Sequence, residues 1–237
     1  MLLSSQLVGV AVADEVTPDK TKFINEYTRL AFGPDRPTLK KLDIQSPIPA
    51  AYRCEGIDAS VCAAAFASMH TAIRGNNNLV FDFKANSPVV EFVFASGSKL
   101  KSLEEKAREE FQGGFSDTSD SDCTVFTRSD GPAIKQVLML FEVQQPSLKL
   151  RLCLSLQLEQ ALGLNAFGGI PFAQQWTYPV GGLAQTTSEQ DFETLTRLVG
   201  HMEYVHMCSE LHPGMTPEQV RTQLSLPDSC VAPLFTK

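Results

Sequence analysis

The chain predicts a single α+β domain built on a mixed sheet with flanking helices. Helix-period apolar stripes alternate along it with short Val- and Phe-rich runs. Its 237 residues suit one domain, and 43% hydrophobic residues suffice for a large core. No internal repeat or linker divides it.

Thr17-Pro18-Asp19 reads as a helix start, a side-chain cap followed by proline at the first helical position. Phe23, Tyr27, Leu30 and Ala31 line one face of this helix, and Gly33-Pro34 stops it. A proline-punctuated extended stretch follows to Ile48. Asp58 opens a second helix with a stripe of Val61, Cys62, Ala65, Phe66, Met69 and Ile73, closed by Gly75 and turned by Asn76-Asn77-Asn78. Leu79–Phe83 and Val89–Ala95 are strand-like, with a turn around Pro88. Leu100, Leu103, Ala107 and Phe111 mark a third helix, ended by Gly113-Gly114 before an exposed Ser- and Asp-rich loop, 116–122. Two strands follow at Cys123–Thr127 and Ile134–Val143, then a helix over Leu148–Leu162 with Gly163 as its left-handed stop. Beyond a Gly/Pro-rich loop, 165–182, Ser188 to Asp191 resembles a capping sequence. Phe192, Leu195, Leu198, Val199 and Met202 make the next helix amphipathic. Thr216-Pro217-Glu218-Gln219 is a capping box that opens the last helix.

A formal charge of −7, with Lys and Arg dispersed, provides no field that draws the chain to nucleic acid or anionic lipid. The densest charged stretch, Lys99–Glu110, alternates in sign and reads as the solvated side of a helix. The apolar run Leu2–Ala13 ends Ala11-Val12-Ala13 before Asp14, which resembles a secretory cleavage site. Residues 1–13 are read as a signal peptide and 14–237 as the mature domain. The run carries no Lys or Arg at its front, so either Met1 is not the true start or the run is a buried first strand or helix. No other run approaches the ~18 apolar residues of a membrane span, so the mature protein is expected not to cross a membrane.

Six cysteines, Cys54, Cys62, Cys123, Cys153, Cys208 and Cys230, lack any Cys-x-x-Cys pair, so the zinc-ribbon and thioredoxin spacings are absent. An even number in an exported chain reads as disulfides. Local proximity alone suggests Cys54–Cys62, Cys123–Cys153 and Cys208–Cys230. Buried free thiols in a cytosolic protein are the alternative.

Cys153–Leu164 reads CLSLQLEQALGL. Zinc peptidases of the metzincin group place His-Glu-x-x-His on a helix, because residues i and i+4 share a face and both imidazoles reach one ion. The intervening Glu polarises the attacking water. Gln160-Ala161-Leu162-Gly163-Leu164 resembles the end of that helix and sets the register. Leu156 then stands at the first ligand position, Gln157 at the catalytic Glu and Gln160 at the second ligand. Leu156 has no lone pair, Gln157 cannot accept a proton at neutral pH, and Gln160 offers a neutral amide oxygen that is a poor zinc donor. No His follows within Asn165–Trp176 as a third ligand. Glu159 lies two positions past the catalytic register.

The chain is further similar to an uncharacterised family of exported bacterial proteins with a degenerate metzincin-like domain. The likeness rests on Cys153, Gln160–Leu164, Pro213-Gly214-Met215, Phe32-Gly33, Lys40-Lys41-Leu42-Asp43 and Ile48-Pro49. The family's Glu four before the Gln is Leu156 here, and His206–Leu211, with His212 next, replaces its Tyr-Asp-Pro-Arg. The resemblance implies a zincin-like fold with no metal, no cofactor and no catalytic residue. Leu156, Gln157, Glu159 and Gln160 would surround the former metal position.

Other constellations have simpler explanations. His201, His206, Cys208 and His212 do not put three donors on one helix face, and Cys208 is expected in a disulfide. Asp117, Asp120 and Asp122 lack the glycine and distal Glu of a calcium loop. Ser96-Gly97-Ser98-Lys99 has a Ser-x-x-Lys spacing, but a turn before the third helix accounts for it. Trp176, Phe172 and Tyr178 lie in the Gly/Pro loop, as a binding rim or a hydrophobic lid.

The expected function is that of an exported, non-catalytic binding or interaction module, periplasmic or secreted, whose partner is a peptide or protein. The alternatives are a secreted hydrolase with a non-standard site at His201, His206 or His212, and a structural envelope protein.

Overall fold

The computed structural model of the chain describes residues 20–33, 36–44, 46–74, 79–111, 123–143, 148–164 and 200–235. Residues 1–13, read above as a signal peptide, the Asp-rich loop and the Trp176 loop lie outside them. The helices are α1 (Lys20–Phe32), α2 (Ala59–Arg74), α3 (Gly97–Glu110), α4 (Leu148–Leu162), α5 (200–206) and α6 (Pro217–Ser225). The strands are β1 (Lys41–Leu42), β2 (Ile48–Glu55), β3 (Phe81–Asp82), β4 (Val90–Ala95), β5 (Cys123–Asp130) and β6 (Ala133–Glu142).

The strands form one six-stranded sheet. β2, β4 and β6 run parallel, with Ala50 opposite Val90 and Val90 opposite Val137. β5 is antiparallel to β6 and fills its far edge. β1 pairs with Ala133 and Ile134, so it lies end to end with β4 along the near edge. The spatial order is therefore β3-β2-β4-β6-β5, a mostly parallel sheet with one antiparallel edge. Parallel pairs require crossovers, and α2 and α3 supply covering layers.

Burial on both faces explains why β4 and β6 read as nearly unbroken apolar runs. Val90, Phe92, Phe94, Val137, Met139 and Phe141 pack with α2 and α4 on one face. Val93, Ala95, Leu138 and Leu140 pack with Leu100 and Ala107 of α3, and with Phe111 just after it, on the other. A separate cluster joins Phe23, Tyr27, Leu30 and Ala31 of α1 to Met202, Val205, Val220 and Leu224. Both α2 and α4 lie where the apolar periodicity places them.

Three strand boundaries differ from expectation. β3 pairs only with Ile48 and Pro49, because Lys84 N–H turns back onto Asp82 Oδ1 at 2.9 Å. β5 runs on to Asp130 through residues that read as polar loop, since Gly131 (φ +56°) and Pro132 form a two-residue hairpin. β1 is too short for any alternating pattern.

Cys54–Cys62 ties β2 to α2, and Cys208–Cys230 ties the end of α5 to the segment after α6. Cys123 is also disulfide-bonded, but the Cys153 side chain lies outside the described set. No described helix is long and apolar enough to cross a membrane.

α6 carries the predicted capping box. Gln219 N–H donates to Thr216 Oγ1 at 3.3 Å, and Thr216 N–H donates to Gln219 Oε1 at 2.8 Å. Thr216→Ala removes the side-chain acceptor for an orphan N–H, and should lower unfolding free energy by about 1 kcal/mol in urea titration. An unchanged midpoint would show that α6 is held by packing alone.

Candidate functional site

The C-terminal end of α4 is where the two core regions meet. Gly163 takes φ +111°, donating its N–H to Gln160 O at 3.0 Å, and Leu164 N–H reaches Glu159 O at 2.9 Å. This pair of bonds is a Schellman closure. The carbonyls beyond it also find donors. Leu162 O accepts from His206 Nε2 at 3.0 Å, and Gly163 O accepts from Arg36 Nη1 at 2.6 Å. A helix C-terminus is electronegative, so a guanidinium there is favourable. A Cβ built on Gly163 would stand 2.3 Å from Lys40 O, so the β1 approach needs glycine for room as well as for its positive φ.

These bonds settle the state of His206. A carbonyl can only accept, so Nε2 carries the hydrogen, and Nδ1 accepts from the Tyr27 hydroxyl at 2.9 Å. Burial is the first cause pushing the imidazole down to about 3, with the Lys41 charge second. His206 is neutral with both nitrogens engaged, so it is a structural pin. Burial also raises the Tyr27 hydroxyl above its ordinary range.

Lys41, 5% exposed, donates to Cys208 O at 2.6 Å and to Leu211 O at 2.7 Å. Burial lowers its ammonium to about 8, with Asp43 opposing. Beside this seam two carboxyls are sealed from water. Glu159 is 4% exposed and burial raises it to about 8. Glu203 is 1% exposed and is raised well above its usual range, by burial first and then by the charge of Glu159. At neutral pH Glu159 is therefore mostly protonated. A carboxyl titrating near neutrality suits proton transfer, but this one lies in the core, away from solvent.

The predicted site residues do not act as one group. Gln157 and Gln160 are i, i+3 neighbours on α4, whereas Glu159 lies about 200° around the axis from Gln157 at ~100° per residue. Gln157 is 4% exposed. The Oε1 atoms of Gln157 and Gln160 are buried with no hydrogen-bond partner among the described residues. The Leu156 side chain lies outside the described set. Ser96 caps α3 through its carbonyl, which accepts from Lys99 and Leu100 N–H, in agreement with the turn reading. His212 is exposed. The one described cluster with metal-ligand chemistry is Cys208, Glu210 and Cys230, away from the predicted register.

A second feature adjoins α4. Val137 N–H and Val143 N–H reach β4-side carbonyls of Val89 and Ala95, so odd-numbered residues of this part of β6 point toward β4. Leu138 and Leu140 then face β5, where they lie opposite Phe126 and Thr124. By alternation Val125 and Thr127 turn their N–H and C=O to the outer edge of the sheet. Among the described residues β5 pairs only with β6. Val125 faces the α4 side, since it packs in the same cluster as Leu154, Leu158 and Ala161.

Sequence reasoning did not single out Tyr27, Arg36, Lys41 or Glu203 as polar partners. The available signal was Glu203 and His206 at i, i+3 beside Met202 and Val205, which puts polar groups next to an apolar stripe. Comparisons of the chain with protein-family models, curated proteins and solved structures each return no match.

Two predictions follow from this geometry. Gly163→Ala forces both a disfavoured φ and a backbone clash, and should lower stability by about 2–4 kcal/mol in denaturant titration. For Glu159, the folded pKa of about 8 exceeds the usual 4.5, so folding favours the protonated form. Its contribution is greatest below pH 4.5 and is lost as pH rises to about 8. Thermal unfolding should show the melting temperature falling across that window, and Glu159→Gln should flatten the fall. An equal slope in the variant would mean that Glu159 is solvated.

Proposed function

We propose that the chain is an exported, non-catalytic binding module of the degenerate metzincin-like kind, and that it holds an extended peptide segment along the outer edge of β5. The carrying observation is that the N–H and C=O groups of Val125 and Thr127 point away from β6, on a strand that pairs only with β6 among the described residues and packs against α4. Both residues are buried, at 3% and 8% exposed, so a bound segment must take the place of what covers this edge. An added strand satisfies such groups, and side-chain contacts beside it give selectivity. The buried amide oxygens of Gln157 and Gln160 on the same helix are acceptors for a donor from outside the described residues. A mixed sheet whose last strand leads toward α4 supports the zincin-like reading. The Cys54–Cys62 and Cys208–Cys230 bridges are compatible with an oxidising compartment such as the periplasm or the exterior.

The residues of the register argue against hydrolysis. Gln157 lacks a basic site, and His206 would have to break bonds to Tyr27 and Leu162 before it could bind metal or take a proton.

The test is a library of extended peptides presented to the purified chain, followed by affinity measurement on the best binders. Thr127→Pro removes an outward N–H and leaves the ladder to β6 intact. It should weaken binding at least about tenfold, the scale of about 1.4 kcal/mol, while far-UV circular dichroism shows the fold retained. Peptides recovered uncut would agree with a binding module. Cleaved peptides would favour the hydrolase, and binding indifferent to Thr127→Pro would move the ligand off this edge.

A further inference from the structure

The turn after α5 holds a donor set outside the α4 region. The Cys208 and Cys230 sulfurs and one Glu210 carboxylate oxygen all lie within 4.8 Å of one another. Glu210 Oε2 accepts from Gln223 Nε2 at 3.3 Å and from Cys230 N–H at 3.4 Å, both long bonds. No Lys or Arg among the described residues forms an ion pair with it. A half-buried carboxylate thus lies beside a cysteine pair without a compensating cation among the described residues. Near a free thiol such a charge opposes thiolate formation, whereas a bound cation reverses that preference.

We propose that, once the Cys208–Cys230 bridge is reduced, Cys208, Glu210 and Cys230 bind one zinc(II) ion, so that bridge and ion are alternative occupants of the same place. Tetrahedral zinc with bonds of about 2.3 Å to sulfur and 2.0 Å to oxygen holds its donors roughly 3.3–3.8 Å apart. In the bridge the two sulfurs are bonded to each other with the Glu210 oxygen within 4.8 Å of both, and once the bond is cleaved side-chain rotation over a Cα separation of 6.3 Å suffices to open the sulfurs to that spacing. Two thiolates select a borderline or soft ion over magnesium or calcium. Glu210 and Cys230 are partly exposed, which leaves the fourth position to water. Lys41 preorganises the turn by holding the carbonyls of Cys208 and Leu211, the residues that bracket Glu210.

The redox step balances with a small dithiol as reductant. The dithiol transfers two electrons and two protons to the bridge and leaves as its own disulfide, giving two protein thiols. Zinc then displaces both thiol protons to solvent without changing oxidation state. Exchange with an oxidised dithiol runs the steps backwards and releases the ion.

The test uses the full chain, reduced anaerobically and freed of reductant, with zinc uptake measured by equilibrium dialysis and cadmium as a spectroscopic probe of thiolate ligation. Reduced wild type should bind one zinc, and reduced C54S/C62S should do the same. Oxidised wild type and reduced C208S/C230S should lose that equivalent. Reduced Glu210→Gln, which keeps both sulfurs, should bind at least about tenfold more weakly, about 1.4 kcal/mol. The proposal is overturned by no zinc uptake in the reduced wild type, by undiminished uptake in C208S/C230S, or by wild-type affinity in Glu210→Gln.

Discussion

The close contact between Gly163 and the Lys40 carbonyl holds the two halves of the molecule in register. On one side of it lies the sheet core, which α4 covers with Leu154, Leu158, Ala161 and Leu162. On the other lies the cluster of α1, α5 and α6, which Leu39 and Leu164 join from either side of the contact. Only a residue without Cβ permits the approach, and only a left-handed residue lets α4 stop there. Arg36 and His206 then supply donors to the helix end, so the junction leaves few carbonyls bare.

Burial at this junction decides protonation states. His206 stays neutral first because burial would leave a charged ring unsolvated, and second because that ring would be another cation near Lys41. Glu159 stays mostly protonated because burial penalises its carboxylate, and burial raises Glu203 as well, with the charge of Glu159 adding to it. The polar groups around α4 therefore hold the fold together and are poorly placed to prepare a water molecule for attack.

The sheet carries its own asymmetry. β4 and β6 are shielded by helices on both faces, while β5 has backbone groups directed outward. β2 is nearly an edge as well, because β3 meets it only at Ile48 and Pro49. Its side chains nonetheless limit open pairing. Arg53 is bound to both Glu55 and Glu91, and Tyr52 stacks on Phe66 with centroids 4.0 Å apart. Charges along an edge discourage unplanned strand addition.

Much of this was legible in the residues. The helix over Leu148–Leu162, its Gly163 stop, the Thr216 capping box and the bridges Cys54–Cys62 and Cys208–Cys230 follow from local rules, because each depends on neighbours a few residues apart or on simple proximity. The short β1, the hairpin at Gly131-Pro132 and the length of β5 were not legible, since polar residues at an exposed strand end look like a loop until a partner strand is known. The candidate site was readable only as a register. The sequence determined that Gln157 and Gln160 carry amides, so the chemistry they lack was settled without coordinates. Tertiary packing alone decided that Glu159 is near enough for its charge to act on Glu203, that Tyr27 and Leu162 fix the His206 tautomer, and that Glu210 lies beside the Cys208–Cys230 bridge. Those pairings span long stretches of chain, and a side chain's charge state depends on the water that distant segments exclude.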